Sequence, residues 1–200
     1  MRKTFLISIF ICMSALAFAQ KPAENDKSKN TKPSVARFFL GTGTGFNNQS
    51  GIIGLKLELP VATNVSIGTG IGASTWGNKV YLEARYYFNP GYKGWAIGAG
   101  ITNSSGFDNM KASLSTVYYG TTDVTLSGNS ITNFFVAGYR VWKLGRNRNR
   151  FYIEAGYSNR LNAATYNVTS GQTLTTDADK TVKVLAPGGL IAAVGFSFAL

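Results

Sequence analysis

The sequence predicts an all-β protein, an eight-stranded antiparallel up-and-down transmembrane β-barrel, and three observations carry that prediction. Apolar residues alternate with small or polar ones through about eight segments, the period of strands with unlike faces. One phase of the alternation collects aliphatic side chains, and the other collects glycines and charges. The connections sort by length, with the two long ones falling on the same side of the chain.

The elements follow in order. Residues 1–19 read as a signal peptide: Arg2 and Lys3 are basic, residues 4–16 are apolar, and Ala17-Phe18-Ala19 is a small-residue cleavage site. Residues 20–33 are polar and charged and read as a disordered linker. The barrel domain is expected over residues 34–200. Its first strand spans residues 36–46, with Phe38, Leu40 and Thr42 against Arg37, Gly41 and Gly43. The second spans 52–59, with Ile53, Leu55 and Leu57 against Gly54, Lys56 and Glu58. The third, 65–75, sets Ile67 and Ile71 against Gly68, Gly70 and Gly72. Trp76-Gly77-Asn78 reads as a tight turn. The fourth strand, 79–88, has Val80, Leu82 and Ala84 in one phase and Tyr81, Glu83 and Arg85 in the other.

The turn NPGYKG precedes the fifth strand, in which Trp95, Ile97 and Ile101 oppose Gly98 and Gly100. The sixth strand, 132–142, is bulky on both faces; its expected outward set is Phe135, Ala137, Tyr139 and Val141, with Arg140 inward. The basic run Arg146 to Arg150 reads as a turn that meets solvent or anionic headgroups. In the seventh strand, 151–158, Ile153 and Tyr157 oppose Tyr152 and Glu154. The eighth, 190–200, has Leu190, Val194 and Phe198 against Ala193 and Gly195.

The strands have the length that a tilted membrane strand needs, and their number is even. Residues 103–130 and 159–187 are the long connections, expected outside the membrane as hairpins rich in Thr, Ser and Tyr. Aromatics cluster at the opposite strand ends (Tyr86, Tyr87, Phe88, Tyr92, Trp95, Trp142, Phe151, Tyr152, Phe196, Phe198), the place of an interfacial girdle.

The direction of the apolar phase decides the environment. If it faces lipid, the glycines make room in the lumen for Arg37, Lys56, Glu58, Glu83, Arg85, Arg140 and Glu154, which must pair with one another. If it faces inward, the chain is a soluble ligand-binding barrel. Only 14% of residues are charged, too few to cover a water-facing exterior, so the lipid-facing reading is preferred. The formal charge of +11 falls by two, to +9, without Arg2 and Lys3. For an exported chain that balance points to anionic lipid or lipopolysaccharide, and no nucleic acid is expected.

The chemistry is read largely from absences. There is no histidine, which removes the usual general base and the commonest metal ligand. The one cysteine, Cys12, lies in the predicted signal, so disulfides and thiol chemistry are not expected of the mature chain. The repeats GTGTG and GTGIG lack the lysine and following helix of a phosphate loop. No catalytic residue, cofactor or metal is expected.

The small-residue signal end, the alternating strands and the terminal strand GGLIAAVGFSFAL resemble those of small bacterial outer-membrane barrels of the OmpA-barrel, OmpX and OmpW kind, and of the PorT-like outer-membrane β-barrel families. The resemblance implies an outer-membrane location and contact with the barrel-insertion machinery during assembly. The expected function is a non-enzymatic structural or surface-interaction role, with partners met through residues 103–130 and 159–187. A narrow channel or small-molecule carrier, and an accessory subunit of an export machine, are the alternatives.

Overall fold

A computed structural model describes residues 38–145 and 149–200. The expected signal and linker, Arg37, and residues 146–148 of the basic run lie outside the described residues. The elements are β1 (Phe39–Phe46), β2 (Ile53–Ala62), β3 (Val65–Ser74), β4 (Gly77–Asn89), β5 (Lys93–Ser104), β6 (Phe107–Thr116), β7 (Gly120–Gly128), β8 (Ile131–Leu144), β9 (Asn149–Arg160), β10 (Tyr166–Val168), α1 (Thr176–Leu185) and β11 (Gly189–Ala199).

Eight of the strands close into an antiparallel barrel in the order β1-β11-β9-β8-β5-β4-β3-β2. Each barrel strand lies beside its neighbours in barrel order along the chain, and the first and last of them meet where Phe39 pairs with Ala199. Residues directly opposite in an antiparallel pair point to the same face, so register and alternation together define one inner and one outer surface.

The aliphatic phase is outside. Leu55, Ile71, Ile101 and Val194, on four different strands, are all 40% or more exposed, while Lys56, Glu83 and Glu154 are 7% or less. A soluble ligand-binding barrel needs the reverse, and the orientation removes that alternative.

One strand departs from the expected phase. In β8, Phe135, Ala137, Tyr139 and Val141 are buried inside, whereas Phe134 and Val136 face out. The register explains it. Gly100 and Gly98 on β5 face inward, and Phe135 and Ala137 lie directly opposite them. Bulk on β8 fills the room those glycines leave. Arg140 therefore points outward, where its guanidinium sits 5.2 Å from the Trp95 ring and 5.6 Å from the Trp142 ring.

The aromatic cluster also divides. Tyr86, Phe88, Trp95, Trp142 and Phe198 face out, in a belt with ring pairs such as Tyr86–Phe88 at 5.6 Å and Phe196–Phe198 at 4.7 Å. Tyr87, Tyr92 and Tyr152 are instead inside the barrel. Tyr87 and Tyr152 follow the inward phase of their strands. Tyr92 adopts φ +57 in the β4–β5 turn, folds back across the barrel end and donates to the Ala62 carbonyl.

At this turn end the connections are short. The two long connections leave the opposite end and build a cap: the first forms the expected hairpin, β6 with β7, and the second adds β10 and a helix in place of the expected hairpin. β6, β7 and β10 form a three-stranded sheet in the order β10-β7-β6. α1 packs over it through Ala178 and Val182, four residues apart on one helical face. Thr175 caps the helix by accepting from the Ala178 amide at 3.3 Å, and Asp177 and Asp179 sit in the first turn, where the helix dipole favours them. Trp76, expected in a simple turn, is 1% exposed and anchors a second core with Val124, Leu126, Ile131 and Val182. Its indole donates to the Asn129 carbonyl at 2.8 Å and its ring meets Phe107 edge-on at 4.8 Å.

Candidate functional site

The barrel interior is the most highly charged buried region among the described residues. A row of inward glycines makes it possible. Gly195, Gly43, Gly54 and Gly72 are register partners on β11, β1, β2 and β3, and the row runs between Tyr152 and Lys79. A Cβ at Gly195 would stand 2.1 Å from the Tyr152 hydroxyl, and one at Gly72 would stand 2.1 Å from the Ser50 carbonyl oxygen. The missing side chains thus admit a tyrosine ring and a piece of backbone.

That backbone belongs to the β1–β2 connection. It turns into the cap end of the barrel, so that Asn48, Gln49 and Ser50 are each 0% exposed. Gln49 donates through Nε2 to the Tyr139 hydroxyl at 2.8 Å and to Glu154 Oε1, while its Oε1 accepts from Lys56 Nζ at 3.2 Å. Lys56 also pairs with Glu154 at 3.3 Å. Lys79 donates to the Asn48 carbonyl at 3.0 Å. The β1–β2 connection is therefore a plug held by polar groups on β2, β4, β8 and β9.

Toward the turn end lies a second layer centred on Glu58. Arg150 Nη2 is 2.7 Å from Glu58 Oε2 and Arg85 Nη1 is 3.1 Å from the same oxygen. The Tyr87 hydroxyl donates to Glu58 Oε1 at 2.6 Å. Arg85 also binds Glu83 at 2.9 Å. The guanidinium carbons stack on aromatic rings: Arg85 lies 3.8 Å from the Tyr139 centroid and Arg150 3.4 Å from that of Phe39. A cavity of about 20 Å³ separates the layers, bounded by Lys56, Glu58, Tyr81, Arg85 and Tyr152. That is room for about one water.

Of the seven residues expected in the lumen, the fold brings Lys56, Glu58, Glu83, Arg85 and Glu154 together. Arg140 is excluded by the reversed phase of β8, and Arg37 lies outside the described residues. The sequence reading missed Arg150 and Lys79. Both lie in phase with the inward residues of their own strands, Arg150 two before Tyr152 and Lys79 two before Tyr81, so extending the alternation would have found them. Gln49 had no such signal. Among the described lumen residues, Lys56, Lys79, Arg85 and Arg150 stand against Glu58, Glu83 and Glu154, and Lys79 is the one with no carboxylate within 4.0 Å.

No protein-family model matches the sequence, and none of the curated proteins is significantly similar to it. Among solved structures, the fold is similar to the crystal structure of the N-terminal β-barrel domain of Pseudomonas aeruginosa OprF, with 15% sequence identity, a TM-score of 0.38, and coverage of 80% of this chain and 93% of that one.

Proposed function

We propose that this protein is a non-enzymatic outer-membrane β-barrel with a closed lumen, which carries a folded cap on the cell surface in a structural or surface-interaction role. The observation that carries the reading is the pairing of an aliphatic exterior with a charged, self-filled interior. Water-soluble monomers rarely expose a contiguous apolar patch above a few hundred Å², and a belt on every strand exceeds that scale. Only a closed barrel satisfies all the backbone groups of lipid-facing strands. The apolar run and Ala17-Phe18-Ala19 site at the N-terminus support export by a cleaved leader. The absence of histidine and the full engagement of the lumen carboxylates with cations support a role without catalysis.

The cap end faces outward in this reading, because short turns on the periplasmic side and long outer connections are the pattern of bacterial barrels. Surface partners would meet β6, β7, β10 and α1.

The test is fractionation followed by electrophysiology. The protein should be retained in the outer-membrane fraction, start at Gln20 and migrate differently on gels before and after boiling. In planar bilayers it should give no steady conductance. Recovery as a soluble periplasmic protein would overturn the membrane assignment, and steady ion flux would overturn the closed lumen in favour of a narrow channel.

A further inference from the structure

We infer that the mouth of the barrel holds a binding site for a single-tailed carboxylate amphiphile, between the plug and α1. The site is a cavity of about 310 Å³ where the cap meets the barrel rim. This is at the lower end of the usual range for small-ligand sites. Its walls have two chemistries. Phe46, Ile52, Val184 and Leu185 line one part, and each is 45% or more exposed although large and apolar. Lys79 and Asn48 line the other, and they are 2% and 0% exposed.

The charge of the site follows from the pairing in the lumen. Lys56, Arg85 and Arg150 are each bound to carboxylates, and Lys79 is not. Its ammonium has three donors, and its hydrogen bond to the Asn48 carbonyl uses one of them. The Asn48 side-chain nitrogen has no partner among the described residues. A buried cation without a counter-charge is costly to hold, and an incoming anion removes that cost. One surplus positive charge among the described lumen residues calls for a monoanion, which favours a carboxylate over a doubly charged phosphate. The apolar walls call for an aliphatic tail. Phe46 is on the outward phase at the end of β1, so the tail has an approach from the lipid side of the rim.

The experiment titrates octanoate into the full mature chain held in amphipol, with empty amphipol as the baseline, and repeats it with octanol and with inorganic phosphate. Octanoate should bind saturably to the wild type, and at least tenfold more weakly to Lys79→Gln. Octanol should bind equally weakly to both proteins, and phosphate should bind more weakly than octanoate. The inference is overturned if octanoate does not saturate the wild type, if Lys79→Gln binds it as tightly, if octanol matches octanoate, or if phosphate does. Gel mobility before and after boiling reports whether Lys79→Gln folds. If it does not, Leu185→Asp on the exposed helix decides instead: a tenfold loss of octanoate affinity supports the site, and unchanged affinity overturns it. These outcomes are separate from conductance and from membrane retention, so the closed-barrel reading stands or falls independently.

Discussion

Replacing Glu58 by glutamine removes the one carboxylate that joins β2 to both arginines of the turn-end layer. Glu58 accepts from Arg150 at 2.7 Å, from Arg85 at 3.1 Å and from the Tyr87 hydroxyl at 2.6 Å. The amide keeps one acceptor oxygen and turns an NH₂ group toward groups that are themselves donors. Arg85 retains Glu83. Arg150 retains only neutral partners, the Ser197 hydroxyl at 3.2 Å, the Tyr87 hydroxyl at 3.1 Å and the Tyr92 carbonyl at 3.4 Å. Breaking a buried pair by removing one partner costs about 3–5 kcal/mol. Because glutamine still accepts one hydrogen bond, the expected loss for Glu58→Gln is at the lower end, about 3 kcal/mol. Arg150→Met in the same background removes the stranded cation, so the two changes should couple by about 2 kcal/mol, within the range for directly interacting pairs. Reversible urea unfolding in lipid vesicles, followed by tryptophan fluorescence and gel mobility, measures all four proteins of the cycle. A loss below about 0.5 kcal/mol, or strict additivity, would mean that water solvates these charges. The lumen would then not be closed.

Four further outcomes are expected. Gly195→Ala should destabilise the barrel by about 1–3 kcal/mol in the same unfolding assay, because the new Cβ meets the Tyr152 hydroxyl at 2.1 Å in a packed interior. Gln49→Ala leaves the Tyr139 hydroxyl and Glu154 Oε1 without their donor and should cost about 1–3 kcal/mol. Val182→Asp places an unpaired charge in the cap core and should make residues 161–188 protease-sensitive while the gel shift of the barrel persists, since the two cores are separate clusters. Burial, and then the hydrogen bond to Asp179, push the Tyr166 phenol up to about 12. A raised phenol pKa favours the neutral form in the folded cap, so this stabilisation is complete below about pH 10 and is lost as pH rises through about 12. Subtracting the 295 nm titration of Tyr166→Phe from that of the wild type isolates the group, and a transition near the ordinary tyrosine value would refute the contact.

Alternation was enough to place most of the walls of the barrel, because period two and two unlike faces leave each residue only two choices. It was weakest at β8, where Phe134 and Phe135 are both bulky and hydropathy alone cannot rank them. What decides between them is Gly100 across the ladder, which is information about pairing and not about β8 itself. The cap was hidden in part for another reason. Thr, Ser and Tyr marked both stretches as hairpins, which fits β6 and β7 but not the 10-residue helix α1 in the second stretch. The cues to α1 were present in Thr175, Asp177, Asp179 and Lys183, but they frame only one buried face, Ala178 and Val182. The plug was the least legible part. Nothing in Asn48, Gln49 and Ser50 distinguishes them from an ordinary polar turn; their burial follows from Gly43, Gly54 and Gly72, which lie far enough apart in the chain that only the barrel register aligns them.

The cross-lumen ion pairs lie in a telling place on the circumference. Glu58 and Lys56 belong to β2, and their partners Arg150 and Glu154 belong to β9. Between those strands are only β1 and β11, the first and last of the chain. The pairs join residues 92 and 98 positions apart and span the joint where β1 meets β11. They act as a latch: both bridges reach across the β1–β11 seam from the strands on either side, and both resist its unzipping. The inward residues along that joint are mainly small, among them Gly41, Gly43, Gly195 and Ser197, which leaves room for the long charged side chains to reach across it. Loosening Glu58 or Glu154 should therefore be felt first as a barrel that opens along the β1–β11 seam.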